Sequence, residues 1–267
     1  MPTWIPRRSF IALAATAIYA PGALLTTRKQ KVDMPLVDQV PLMLDHILLG
    51  CSDLQRGISF VEQYIGVRAV FGGIHPSRGT QNALLSLGAS SAREEGRYLE
   101  IIAPDPLQTD GTSPLLGTIQ KLAEPRLVGW AAHPRNIEAL AAQLKRYGIA
   151  ADGPTPGSRK RPDGKELHWQ TLNLQDNASG LLPFFIQWGS GVVRTNPDRS
   201  MPADSVHPSV DAPSGCQLLR FELLTPEPAL LAMNLAKLGL SAPVMKAAAP
   251  QLHAVIQGPK GTLSVTS

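Results

Sequence analysis

Cysteine is almost absent: among 267 residues only Cys51 and Cys216 carry a thiol. Stability therefore does not come from a disulfide scaffold or a cysteine zinc cluster, both of which need several closely spaced cysteines. The expected state is two free or buried thiols, with a single bridge in an oxidising compartment as the alternative. Aromatic residues make up only 5% and charged residues 17% of the chain. No basic stripe with interleaved aromatics is present, so no nucleic-acid partner is expected. The formal charge of +4 owes much to Arg7, Arg8, Arg28, Lys29 and Lys31 near the N-terminus. Without them the balance is close to neutral. What the chain does have is 43% hydrophobic residues, enough at this length for a substantial core in one large or two small domains.

Arg7-Arg8-Ser9-Phe10-Ile11 stands before an apolar run from Ala12 to Ala20, with small residues following. The pattern is similar to a twin-arginine export signal, and the run is too short for a typical membrane span. Residues 1–30 are read as an export segment leading to a periplasmic or secreted protein. A short uncleaved N-terminal anchor and a cytoplasmic protein are the alternatives, and no other stable membrane partner is expected.

After a polar linker at 31–42, the order β, α, β, β, β recurs three times, which makes the fold class α+β with repeated βαβββ modules. Module one spans 43–104. Its helix is signalled by Asp53 as N-cap, by the pattern Leu54, Ile58, Val61, Tyr64 and Ile65, and by Gly66 as stop. Module two spans 126–189, with a helix over Ile137, Leu140, Leu144 and Tyr147, ended by Gly148. Its Pro- and Gly-rich stretch from Gly153 to Gly164 reads as a basic loop. Residues 190–214 read as a loop or linker, and 215–267 as a third, shorter module. A curved sheet leaves a concave face unfilled, so pairing two modules closes a barrel-like cup able to hold a ligand. The third module either packs on the first two or pairs with a second chain, which leaves a homodimer open.

Several fragments in order carry a resemblance: Leu44-Asp45-His46-Ile47-Leu48-Leu49-Gly50, Gly72-Gly73-Ile74-His75-Pro76-Ser77-Arg78-Gly79-Thr80-Gln81-Asn82, Tyr98-Leu99-Glu100-Ile101-Ile102, Leu167-His168-Trp169 and Leu182-Pro183-Phe184-Phe185-Ile186-Gln187-Trp188. Together with His207-Pro208-Ser209 they resemble the glyoxalase-like domain family of the vicinal oxygen chelate superfamily. The resemblance implies paired βαβββ modules and, in metal-using members, one divalent ion (Zn, Fe, Mn or Ni) that polarises adjacent substrate oxygens. It places metal ligands at His46, Glu100 and Gln187. Strand alternation puts His46 with Leu48, and Glu100 with Tyr98 and Ile102, on common faces. Module two departs from the pattern, offering Gly129 and Trp130 where a first ligand would sit and a carboxamide where a carboxylate is usual. A site with no metal at all is therefore the alternative.

His75, Arg78, Thr80 and Asn82 form a compact polar set on a glycine-rich loop. They read as a clamp in which Arg78 grips an anion, His75 and Glu100 supply acid–base chemistry, and Thr80 and Asn82 fix orientation. The plainer reading gives Gly79 and Asn82 turn duties and leaves Arg78 in solvent. Arg159, Arg161 and Asp163 stand on the loop of module two, either over the cup or as a solvated tip. Trp169 reads as packing or as an aromatic wall, and His207 as a general base or a surface histidine. The expected partner is a small, anionic molecule. Two functions stay open: a metal-dependent lyase, isomerase or dioxygenase, and a metal-free protein that binds or sequesters its ligand.

Overall fold

The computed structural model describes residues 40–41, 43–75, 78–88, 96–108, 111–160, 164, 166–175, 177, 179–189 and 207–267. The export segment, nearly all of the linker, Arg161 and Asp163, and most of the 190–214 loop lie outside the described residues. Among the described residues no helix is long and apolar enough to cross a membrane.

The first module runs β1 (Leu44–Gly50), α1 (Leu54–Ile65), β2 (Val70–His75), β3 (Thr80–Ser86) and β4 (Tyr98–Pro104). A four-residue helix, α2 (Leu116–Ile119), leads to β5 (Arg126–Ala132), α3 (Ile137–Arg146), β6 (Ala151–Lys160), β7 (Glu166–Leu174) and β8 (Phe184–Trp188). The helices start and stop for local reasons. The Asp53 carboxylate accepts from the Arg56 amide and Asn136 from the Ala139 amide, each capping otherwise orphaned donors. Gly66, at φ 78°, ends α1 in the left-handed conformation that costs glycine little.

Eight strands form one curled sheet in the order β2-β3-β4-β1-β5-β8-β7-β6. Each module places its first strand beside its last, parallel in both cases, and the modules join through the antiparallel β1–β5 pair. The curl brings the two edges together, where Arg159 of β6 donates to the Gly72 carbonyl of β2. The stretch from Gly153, expected as a loop, is mostly strand. It lies at the sheet edge and pairs only with β7, so Pro154 and Pro156 are tolerated, and a break in register between Asp152 and Thr155 absorbs the irregularity.

The third copy keeps the order of elements, β9 (Gln217–Thr225), α4 (Pro228–Lys237), β10 (Val244–Lys246), β11 (Gln251–Gln257) and β12 (Thr262–Thr266), but pairs them differently. Its sheet runs β10-β9-β11-β12, with the first strand inside rather than at one end. It packs within the chain on the convex side of the large sheet. There Phe221 of β9 meets Trp130 of β5 edge-on at 5.5 Å, and the Lys260 amide bonds the last carbonyl of α1 at 3.1 Å. Both cysteines are free and buried, as expected from their isolation in sequence.

Candidate functional site

The pleat assigns every strand residue to one of two environments. Ile47, Leu49, Ala83, Leu85, Leu99 and Ile101 enter the core beneath α1. Their neighbours His46, Leu48, Thr80, Asn82, Leu84, Tyr98, Glu100 and Ile102 line a cavity of about 760 Å³ inside the curl. The second module completes the wall with Val128, Arg159, Trp169, Phe184, Ile186 and Trp188. The faces read for β1 and β4 from alternation alone are those observed.

One residue breaks the alternation. Asp45 should point away from its neighbour His46, but the β1–β5 register slips between Leu44 and His46, and a bulge of this kind re-aims a side chain. Asp45 Oδ1 lies 2.7 Å from His46 Nδ1, and Oδ2 accepts from Trp188 Nε1 at 3.0 Å. On its other side, His46 Nε2 faces Glu100 Oε2 at 3.3 Å, and Asn82 Nδ2 donates to Glu100 Oε1 at 2.6 Å. His207 reaches Asp45 Oδ2 at 3.3 Å from outside the cup. A buried polar chain, His207–Asp45–His46–Glu100–Asn82, thus links the start of β9's leader to the cavity wall. Tyr98 stacks on the His46 ring with centroids 4.5 Å apart.

This chain fixes charge. Burial disfavours the His46 cation, but hydrogen bonds and charge from Asp45 and Glu100 outweigh it and lift His46 to about 9. Burial likewise disfavours the Glu100 anion. His46 above all, with the Asn82 amide, overrides that and brings Glu100 down to about 2. Asp45 is pushed up by burial and pulled further down by His207 and His46, well below the usual carboxylate range. Near neutral pH the array is a carboxylate, an imidazolium and a second carboxylate. Geometry agrees: both ring nitrogens of His46 face acceptor-only groups, so both carry protons. His75 is the opposite case. Burial above all, joined by the charges of Arg159, Arg78 and His46, lowers it against the opposing pull of Glu100, so it is neutral at ordinary pH. Its Nδ1 lies 3.0 Å from Thr80 Oγ1 across the β2–β3 pair.

A family model described as the glyoxalase-like domain matches residues 44–239, most of the chain. The chain belongs to the glyoxalase-like domain family. The match takes in both modules of the cup and runs through α4. Among solved structures, a hypothetical protein from Staphylococcus aureus is similar at 18% identity and TM-score 0.52, with 84% of each chain covered. That likeness supports the fold. Methylmalonyl-CoA epimerases are more distant: the Streptomyces coelicolor enzyme matches at 18% identity and TM-score 0.43, over 55% of this chain and 98% of its own. The Mycobacterium tuberculosis enzyme matches at 20% identity and TM-score 0.41, over 59% and 95%. No curated protein matches the sequence.

Within this glyoxalase-like cup, His46, His75, Arg78, Thr80, Asn82, Glu100, Arg159 and Trp169 all line the one cavity. Two expected residues do not. Gln187 sits on the other face of β8 from Ile186 and Trp188, and its Oε1 accepts from the Ile137 amide at 2.8 Å, serving the N-terminus of α3. Alternation made one of each neighbouring pair face inward but did not fix which. His207 lies behind the wall, against Asp45, Ser209 and Trp188. Asp45, Tyr98, Phe184 and Trp188 complete the site. The first was hidden by its bulge, whereas Tyr98 stands on the face already read for Glu100.

The donor set does not fit the metal that the family resemblance implies. The strand positions supply two donors, His46 and Glu100, where a divalent ion needs three or four. Across from them, β5 offers Gly129, at which a Cβ would meet nothing within 4 Å, and β8 offers Ile186. Among the described residues no three His, Cys, Asp or Glu side chains converge as ligands.

Proposed function

We propose that this glyoxalase-like protein binds a small anionic molecule with an apolar body, in a cup that works without a metal. The observation that carries the reading is the pairing of two guanidinium side chains, Arg78 and Arg159, with a largely apolar cavity of about 760 Å³. Arg159 bonds the Gly72 carbonyl beside Asn82, which in turn donates to Glu100, so it stands at the same end as the His46–Glu100 pair. Leu48, Leu84, Ile102, Leu115, Val128 and Ile186 offer the apolar remainder. That division suits a drug-sized ligand held by burial and oriented by an oxyanion on a guanidinium fork.

A thermal-shift comparison tests this. An apolar carboxylate should raise Tm while its primary amide leaves it unchanged, and Arg78→Gln should remove the carboxylate's effect. Equal shifts from acid and amide would overturn the anionic reading.

One observation favours a second reading, a proton-transferring enzyme of the lyase or isomerase class. His75 is neutral, lines the cup and stands among cations that would stabilise an oxyanion, as a general base must. An acid whose α-proton exchanges with solvent in the presence of the protein, and no longer does so with His75→Ala, would support it.

A further inference from the structure

The anionic reading leaves one group in the cup unexplained. Glu100 is a carboxylate with two oxygens and about four acceptor positions. Asn82 and His46 take one position on each oxygen, at 2.6 and 3.3 Å. The other acceptor positions have no further side-chain partner in this array, 10% of the Glu100 side chain remains exposed, and Glu100 lines the cavity. An anion alone would sit badly here: it would strip water from Glu100, repel it and give it no donor.

Resting on that reading, we infer that the ligand carries an uncharged hydrogen-bond donor, a hydroxyl or amide N–H, close to its oxyanion, and that Glu100 receives this donor while Arg78 or Arg159 holds the oxyanion. The donor is uncharged for a reason of placement. Arg159 bonds the Gly72 carbonyl beside Asn82, the residue that holds Glu100, and Arg78 lines the same cavity, so an ammonium would meet two guanidinium cations for one carboxylate. The aromatic and aliphatic walls of Trp169, Phe184 and Ile186 receive the body. The recognised class is then an apolar hydroxy- or amido-carboxylate, and Glu100 is its specificity-determining residue.

Isothermal titration of the full chain with four probes sharing a 2-naphthyl body tests the assignment: 3-(2-naphthyl)propanoate, 3-(2-naphthyl)lactate, 3-(2-naphthyl)alanine and 3-(2-naphthyl)propanamide. The hydroxy acid is expected to bind at least about tenfold more tightly than the plain acid, the scale of a hydrogen bond to a charged group. It should also bind more tightly than the amino acid. In Glu100→Gln the hydroxyl preference should fall below about threefold, and a preference kept at about tenfold overturns the role of Glu100. Equal binding of hydroxy and plain acids to the wild-type protein overturns the role of Glu100 and leaves the anionic cup standing. Tightest binding by the amino acid overturns the uncharged donor. Binding of the amide as tight as the plain acid, or no binding by any probe, overturns the anionic reading itself.

Discussion

Asp45 shows how much a single backbone irregularity can do at this site. Regular alternation would have sent its carboxylate into the hydrophobic core, where an unpaired anion is very costly. The bulge turns it instead onto His46 Nδ1, and the neighbouring imidazole becomes a fixed cation. Asp45→Asn should cost about 3 kcal/mol in urea denaturation, because it leaves a buried cation short of a partner. The pH dependence follows from the shifted groups. His46 is raised from 6.5 to about 9, so its contribution is complete below 6.5 and is lost as pH climbs through 9. Glu100 is lowered from 4.5 to about 2, so its contribution is complete above 4.5 and is lost as pH falls through 2. His75 is lowered from 6.5, so its contribution is complete above 6.5 and is lost as pH falls below it. Stability should therefore peak near about pH 6.5 and decline on either side. The ¹⁵N resonances of His46 should show both nitrogens protonated at that optimum and at pH 7. A neutral His46 at pH 7 would contradict the array.

At the scale of elements, the cup depends on which alternate set of each strand faces inward. On β1 and β4 this was legible, because His46–Leu48 and Tyr98–Glu100–Ile102 keep strict alternation against the apolar Ile47, Leu49, Leu99 and Ile101. On β8 it was not. Phe184-Phe185-Ile186-Gln187-Trp188 is apolar on both faces, so the one polar residue was assigned inward when it in fact caps α3. Edge strand β6 was hidden for a different reason: its prolines and glycines have the composition of a loop, and only its place at the sheet edge makes a strand of them. Helix limits were clear wherever a cap supplied them. Gly129 offers a test at this scale. A side chain there would enter open space, so Gly129→Leu should change stability by less than about 1 kcal/mol, by the usual size of changes that break no buried contact. Because it projects from the wall of β5, the same leucine should abolish binding of the hydroxy acid. Loss of fold would show that Gly129 serves a second break in the β1–β5 register, between Leu48 and Leu49, rather than the cup.

For the molecule as a whole, two modules make the cup and the third braces its convex side. The recurrence of elements announced three modules, but not that the last would pair its strands in another order, since strand order depends on tertiary packing that local pattern does not encode. Family membership follows from the family model's match through both cup modules, and the proposed binding rests on the contents of the cup. The central claim is that an anion is held here without a metal. Its most direct test is titration of 3-(2-naphthyl)propanoate into protein stripped with a chelator, and again after reloading with zinc or manganese. Equal affinity before and after reloading is the predicted result. Binding that appears only on reloading would contradict the account and return His46 and Glu100 to the role of metal ligands.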